Sequence, residues 1–458
     1  MISISVIKQS AKDAAEYYSS EEKNYYLSEK GIDQNTQWFG EGAKRNGVLG
    51  KAVESSELER FLSGKTYDGE VQKSFGGELR RGWDFTLSAP KSVSILALVY
   101  GDTELIKAHD TAVKQTLQQI EKDAAQVRIF DNETKKMTFQ NTGNVIAAMI
   151  RHSTSREMDP QLHTHNLICN ISYDISDKIR AMASCKEQGG DVVHGMAERV
   201  FRDQKYYTAI YQSTLAKLAI ELGYKVKSVG NGQFEIEGIP ESVIREFSQR
   251  REQILDRAKS FGVTTSKGMD VATQATRKNK VFASLGELKA SWMERHVPFD
   301  IDKIKNNHDD NQNISVEGGA KKTIDLTLSH LGRFQTKIRY EKLMETALGH
   351  FAIDAGVDYK QCQAEIENKI QTGELIALDK HKSMFTTKTL LEKEKNLIST
   401  ANTKFHHLSC ETNNDLLNQL KLNGENRNKI ISIMESSKQT ILIDIRGTNT
   451  SKKQIIES

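Results

Sequence analysis

The chain is 458 residues long, enough for two or three domains, and 27% of it is charged with a net charge of only +3. That balance excludes a uniformly basic nucleic-acid coat, so any DNA affinity must come from a local patch. Four scattered cysteines (Cys169, Cys185, Cys362, Cys410) without CxxC spacing argue against a disulfide scaffold or structural zinc and fit a reducing cytoplasm; no apolar run is long enough to span a bilayer, and Met1–Lys8 lacks the features of a signal peptide.

The first informative segment is Glu16–Tyr26, which carries two tyrosine pairs, Tyr17-Tyr18 and Tyr25-Tyr26. Adjacent residues on a helix diverge by about 100°, so one member of each pair is expected to pack while the other reaches out. A phenol, with a pKa near 10, is a poor nucleophile at neutral pH. A divalent cation that polarises a phosphate, with an acceptor nearby for the phenolic proton, removes much of that handicap. The product of such an attack on a phosphodiester is a phosphotyrosine, which conserves the bond energy for rejoining.

Next comes Gly82–Ser92, in which Trp83, Phe85 and Leu87 alternate with Asp84, Thr86 and Ser88. Period-two alternation predicts a strand. On its polar face, Asp84 is placed either to hold the second nitrogen of a metal-bound histidine or to accept a tyrosine proton. An amphipathic helix follows over 102–125, with Asp102 as its N-cap. A short helix over Gly143–Arg151 is expected to deliver His152 towards the sheet.

The segment Asp159–Asn166 contains His163-Thr164-His165. Histidines at i and i+2 of a strand share one face, roughly 6.5 Å apart, so they can converge on one cation. A third imidazole, from His152, leaves open positions for substrate oxygens. Taken alone, a His-x-His pair is equally well a hydrogen-bonded pair on a half-buried strand. Further helices are expected over Val193–Leu222 and Glu241–Lys259. Antiparallel strands with helices on one side give an α+β palm rather than a doubly wound sheet.

These motifs, in this order, resemble the conjugative relaxases of the TraI/TrwC type, the MobF family of HUH endonucleases. The resemblance covers roughly residues 1–300 and rests on the tyrosine pairs, the Asp84–Ser92 strand and the histidine cluster. It implies an HUH relaxase palm with flanking helices that nicks one strand at a plasmid transfer origin. The family chemistry leaves a 5′-phosphotyrosyl adduct and a free 3′-hydroxyl. Carried over by position, Tyr17 is the primary nucleophile, Tyr25 acts in a second transfer, and Tyr18 and Tyr26 flank them. His152, His163 and His165 hold one divalent metal ion (Mg²⁺ or Mn²⁺), with Asp84 beside them. The implied partners are single-stranded origin DNA, accessory relaxosome proteins and a type IV secretion coupling protein, in the cytoplasm. Candidate DNA contacts are Arg80, Arg81, Lys91, Arg156, Arg277, Lys278 and Lys280. An HUH-type replication initiator is a second reading, disfavoured by the third histidine and the N-terminal tyrosines. A catalytically silent origin-binding protein or repressor is a third, disfavoured because every catalytic position is occupied.

Beyond residue 300 the composition turns polar, and 301–324 reads as a linker. Helices over Tyr340–Phe351 and Tyr359–Thr372, a hairpin over Gly373–Thr387 and a helix over Lys388–Thr400 suggest a small winged-helix-like module at 325–400. Residues 401–458 read as the degenerate start of a helicase motor. A strand over Thr440–Ile445 precedes Arg446–Lys453, where Arg446 and Ser451 occupy the glycine positions of a phosphate-binding loop in register on Lys452. No ATPase or helicase activity is therefore expected.

Overall fold

The computed structural model describes residues 2–25, 35–71, 80–185, 193–262, 268, 285–295, 299, 301–305, 316–402 and 428, with side chains for all of these except 19–25, 285, 301–302, 316–317 and 401–402. Tyr26, the Arg277–Lys280 group and the strand and loop expected over 440–453 lie outside the described residues.

The centre is a five-stranded antiparallel sheet in the order β1-β3-β7-β6-β2. Its strands are β1 (Ile2–Val6), β2 (Thr36–Phe39), β3 (Gly82–Ser88), β6 (Ala147–Thr154) and β7 (Pro160–Cys169). A separate hairpin of β4 (Gln126–Asp131) and β5 (Lys136–Asn141) lies between β3 and β6 in sequence. The alternation in Gly82–Ser88 produces β3 as expected. Its neighbour β6 corrects an expectation, because Gly143–Arg151 does not form a helix. Ala147–Thr154 is a strand buried at every position. A strand covered on both faces shows no alternation, and its run of small and apolar residues imitates a helix.

Helices cover both faces of this sheet, not one as the sequence suggested. On one face, α1 (Ala11–Tyr25) and α3 (Ser55–Leu62) pack Ala14, Ala15, Tyr18, Leu58 and Phe61 against Ile146, Ala148, Ile150, Leu167 and Cys169. The short α2 (Glu41–Arg45) borders β2. On the opposite face, α4 (Lys91–Leu98) packs on β7, and α5 (Thr103–Ala124) pairs with α7 (Gln204–Glu221), which follows α6 (Met196–Arg202). Here the buried His109 of α5 bridges the Tyr211 hydroxyl at 2.7 Å and the Thr164 hydroxyl of β7 at 2.8 Å. Thr164 points away from its neighbours His163 and His165, so this helical layer lies on the face opposite the histidines. Asp102 caps α5 as expected, its carboxylate accepting from the Glu104 and Leu105 amides. Such a cap contributes about 1 kcal/mol.

The chain divides into two compact units, Met1–His330 with Tyr340–Glu367, and Leu331–Arg339 with Asn368–Ser458. In the first, the helix Tyr340–Ala347 packs on α7, and the Tyr340 and Tyr359 hydroxyls meet at 3.3 Å beside the buried Tyr206. In the second, the strands Ile338–Arg339, Met384–Thr387 and Leu375–Ala377 form a three-stranded antiparallel sheet, followed by the helix Lys388–Asn402. The expected 301–324 linker is partly helical, since Ile301–Lys305 and Val316–Leu331 are helices. Among the described residues no helix is long and apolar enough to cross a membrane.

Candidate metal centre and tyrosine site

The site occupies one end of the sheet face that carries α1. Along β7, Cys169 and Leu167 belong to the core cluster under α1, whereas His165 and His163, on the same face, come next towards the other end. Strand pairing sets His152 of β6 directly opposite His163, and Thr86 of β3 directly opposite His165. Three imidazoles thus converge from two central strands. Their ring centroids lie 5.0–5.3 Å apart, and one potential ligand atom from each falls within 4.8 Å of the others.

Hydrogen bonds fix which nitrogen faces inward. The Nδ1 of His163 lies 2.9 Å from the Gln161 carbonyl, and the Nδ1 of His165 lies 2.7 Å from Asp84 Oδ2. Both partners are acceptors, so each Nδ1 carries a proton, and the inward-facing Nε2 is the atom that can offer a lone pair to a cation. Burial, reinforced by the neighbouring His165, holds His163 down at about 4 and His152 well below the ordinary imidazole range. Neutral imidazoles with aimed lone pairs are the form that ligates a cation.

Asp84, only 5% exposed, joins this cluster to the tyrosines. Its Oδ2 accepts from the Tyr18 hydroxyl at 3.0 Å as well as from His165, and its Oδ1 accepts from the Thr86 hydroxyl at 3.2 Å. Asp84 therefore touches both a histidine of the cluster and a tyrosine of the first pair. Of the first tyrosine pair, Tyr18 is buried on the core, while Tyr17 is partly exposed and meets the Tyr18 ring edge-on at 5.0 Å. The division into a packing and an outward member holds for this pair. Tyr25 ends α1, and nothing is described of its side chain.

The expected DNA contacts separate. Lys91 is partly exposed; its ammonium donates to the Pro160 carbonyl at 2.8 Å, and burial pushes it down to about 8, so it ties α4 to the start of β7. Arg80 and Arg81 sit at the other end of β3, where Arg80 donates to Ser184 Oγ at 3.2 Å and lies over the Trp83 ring. Arg156 lies on the turn between β6 and β7 and is partly exposed.

That turn is held by residues the sequence reading missed. The Trp292 indole donates to the Met158 carbonyl at 2.7 Å, and the buried Asp159 accepts from Arg295 at 3.0 Å and from the Gln249 amide at 3.0 Å. Thr86 and Gln161 were missed as well. Thr86 was findable, being two residues from Asp84 on the same strand face; the Gln161 carbonyl and the Trp292 and Arg295 contacts carry no local signal.

A metal-compatible histidine triad on an antiparallel sheet, linked through a carboxylate to Tyr18 on the first helix, is the arrangement expected of a relaxase fold. The chain belongs to the TrwC relaxase family, whose family model matches residues 11–298. It is 30% identical over 403 residues to the multifunctional conjugation protein TraI of Escherichia coli, a match that takes in 84% of this chain and 22% of that protein. TraI of strain K12 matches to the same extent. The chain thus spans 22% of the length of these relatives. Among solved structures it is similar to the conjugative relaxase TrwC in complex with oriT DNA in its metal-bound form, with a TM-score of 0.56 and 31% identity over 64% of this chain and 97% of that one. It is also similar to TrwC bound to a 27-mer comprising the recognition hairpin and the cleavage site, with a TM-score of 0.55, 31% identity and the same coverage.

Proposed function

We propose that this protein is a metal-dependent DNA relaxase that nicks and rejoins one strand at a plasmid transfer origin. The observation that carries this reading is the hydrogen-bonded chain from Tyr18 through Asp84 to His165, one of three imidazoles whose ligand atoms converge within 4.8 Å. The relatives' complexes with oriT DNA and with metal support it.

His152, His163 and His165 would hold the cation through their inward nitrogens. When bound, it supplies a Lewis acid for the scissile phosphate. An all-imidazole donor set suits a first-row transition-metal ion better than the hard, oxygen-seeking Mg²⁺, and of the two expected ions only Mn²⁺ belongs to that row. Asp84 fixes the ring orientation and tautomer of His165, while Tyr18 stays packed and holds Asp84 in place. Tyr17, the more exposed of the pair, attacks the phosphorus. The 3′-oxygen leaves and gains a proton for the one the phenol loses, and the 5′ end stays on Tyr17. Tyr25 serves a second transfer. Arg156, on the turn joining two metal-binding strands, approaches the DNA backbone. The substrate is single-stranded origin DNA, and the reading places the protein in the cytoplasm with accessory relaxosome proteins and a coupling protein. Arg446 and Ser451 in place of loop glycines support the absence of ATP turnover by the 446–453 segment.

The test is incubation with supercoiled plasmids carrying candidate origins, followed by mapping of any covalent adduct. A nicked plasmid with an adduct on Tyr17 is expected. An adduct on Tyr18 would reverse the roles within the pair, and the lack of any adduct across cognate origins would overturn the reading.

A further inference from the structure

The orientation of His163 is set from the junction between β3 and α4. The Nδ1 of His163 meets the Gln161 carbonyl at 2.9 Å, and that carbonyl shares one peptide group with the Leu162 amide. The Leu162 N–H donates to Ser94 Oγ of α4 at 3.1 Å, and the Ser94 hydroxyl donates its own proton to the Pro90 carbonyl at 3.0 Å. A hydroxyl carries one proton, so its commitment to Pro90 leaves Ser94 Oγ as an acceptor. Three hydrogen bonds thus run in series from α4 to a histidine of the triad. Ser94 and Leu162 are both fully buried. The peptide between Gln161 and Leu162 needs this hold. Between the pairs His152–His163 and Thr154–Pro160, Gln161 and Leu162 of β7 face the single Ser153 of β6, so regular strand pairing does not set its plane. The junction grips its surroundings too: the Ala89 N–H donates to the Leu162 carbonyl at 2.9 Å, Gln161 Nε2 to the Ala89 carbonyl at 3.2 Å, and Lys91 to the Pro160 carbonyl. Among these contacts, that of Ser94 alone falls on the peptide that bears the His163 acceptor.

We propose that Ser94 is a positioning residue for the metal centre: through this peptide it keeps the His163 proton on Nδ1 and turns Nε2 towards the cation. This deepens the relaxase reading and rests on it. Two physical effects act together. Holding the N–H fixes the plane of the peptide, so its carbonyl stays aligned with Nδ1 instead of rotating away. An amide whose N–H is engaged also presents a more polarised carbonyl, and a stronger acceptor at Nδ1 raises the basicity of Nε2. Without Ser94 Oγ the Leu162 N–H would be a buried donor with no partner, and the peptide would gain by tilting to find one. That tilt would cost the His163 contact. The Nε2–H tautomer, which cannot ligate through Nε2, would then compete. Asp84 does for His165 from β3 what the peptide held by Ser94 does for His163.

The experiment compares Ser94→Ala and Ser94→Thr with Ser92→Ala, in the full chain and without DNA. Ser92 is a matched control on the same helix: it is equally buried, and its hydroxyl accepts from the Ile236 N–H at 2.8 Å rather than from β7. Mn²⁺ affinity is measured by competition with a chromophoric chelator. The His163 tautomer is read from imidazole nitrogen shifts in the metal-free protein, assigned with His163→Gln. Ser94→Ala is expected to bind Mn²⁺ about threefold to tenfold more weakly, below the roughly tenfold to hundredfold typical of losing a partner that touches the ligand itself. It should also move His163 from the Nδ1–H form towards a mixture of tautomers. Ser94→Thr keeps the hydroxyl and should retain both properties, and Ser92→Ala should match the unmodified protein. Should Ser94→Ala not fold, Ser94→Cys substitutes a weak acceptor of similar size and is expected to give the same two changes. An affinity equal to that of Ser92→Ala, or a His163 tautomer that stays put, overturns the proposal. If His163→Ala/His165→Ala leaves Mn²⁺ affinity unchanged, the metal reading itself has failed, which is a distinct result.

Discussion

Replacing Asp84 by Asn isolates the charge at the centre of the site. The amide is nearly isosteric: its oxygen can stay at the Oδ2 position to accept from Tyr18 and His165, and its NH₂ can donate to the Thr86 hydroxyl, which now acts as acceptor. Packing should therefore survive in a residue only 5% exposed. What is lost is the ionic character of the 2.7 Å contact to His165 Nδ1. Hydrogen bonds to charged groups contribute about 1.5–3 kcal/mol, against about 1 kcal/mol for neutral ones, so the substitution should cost about 1–2 kcal/mol in holding the His165 lone pair on the metal. That corresponds to roughly fivefold to thirtyfold weaker metal binding. Titration of Mn²⁺ against a chromophoric chelator measures this directly, and nicking rates at saturating Mn²⁺ should then recover most of the loss. A metal affinity within twofold of the unmodified protein, together with a rate that stays low at saturating metal, would refute the orienting role. Asp84 would then be acting as a proton acceptor.

Three further outcomes are expected. Tyr17→Phe should abolish the adduct on a suicide oligonucleotide with DNA affinity retained, whereas Tyr18→Phe should keep the adduct and weaken metal binding; gel mapping and metal titration separate the two. EDTA, or His163→Ala/His165→Ala, should eliminate cleavage but leave much of the DNA binding, and robust nicking by the double variant in chelator would contradict the metal requirement. Asp123, pushed up to about 6 by burial, is a carboxyl whose folded pKa lies above its ordinary 3.8. Stability contributed by this group is present below 3.8 and lost as pH rises through 6. Asp123→Asn should therefore raise stability at pH 8, by on the order of 1–3 kcal/mol, with a gain about 1 kcal/mol smaller at pH 5; denaturant midpoints at the two pH values check it.

Much of the site was legible because its residues follow local rules. His163 and His165 share a face by strand periodicity, and Asp84 alternates with Trp83 and Phe85, so both were placed without knowledge of the fold. The carrier of His152 was not, because Ala147-Ala148-Met149-Ile150 reads as helix until the sheet surrounds it on both faces. The contact between Tyr18 and Asp84 spans 66 residues, and no local pattern encodes which tyrosine of the pair turns inward. The structural partner of Lys91 was hidden for the same reason, since its bond to the Pro160 carbonyl spans 69 residues. The boundary near residue 300 was drawn from polar composition, yet the 340–367 helices belong with the first unit, where Tyr340 and Tyr359 approach Tyr206.

The pairing of His152 opposite His163 has a consequence for folding. A slip of one residue between β6 and β7 would turn either His152 or the His163–His165 pair to the far face and dismantle the triad. A cation held by both strands therefore recognises one alignment and no other, and works as a register lock on the central strand and its neighbour. The irregularity between His152 and Thr154, next to the turn clamped by Trp292, marks where that lock meets the end of the ladder. At a hundredfold excess over its dissociation constant, a ligand bound only by the folded chain adds about 2.7 kcal/mol of stability. Metal availability would then govern how much correctly aligned protein is present at all, in addition to how fast it cuts.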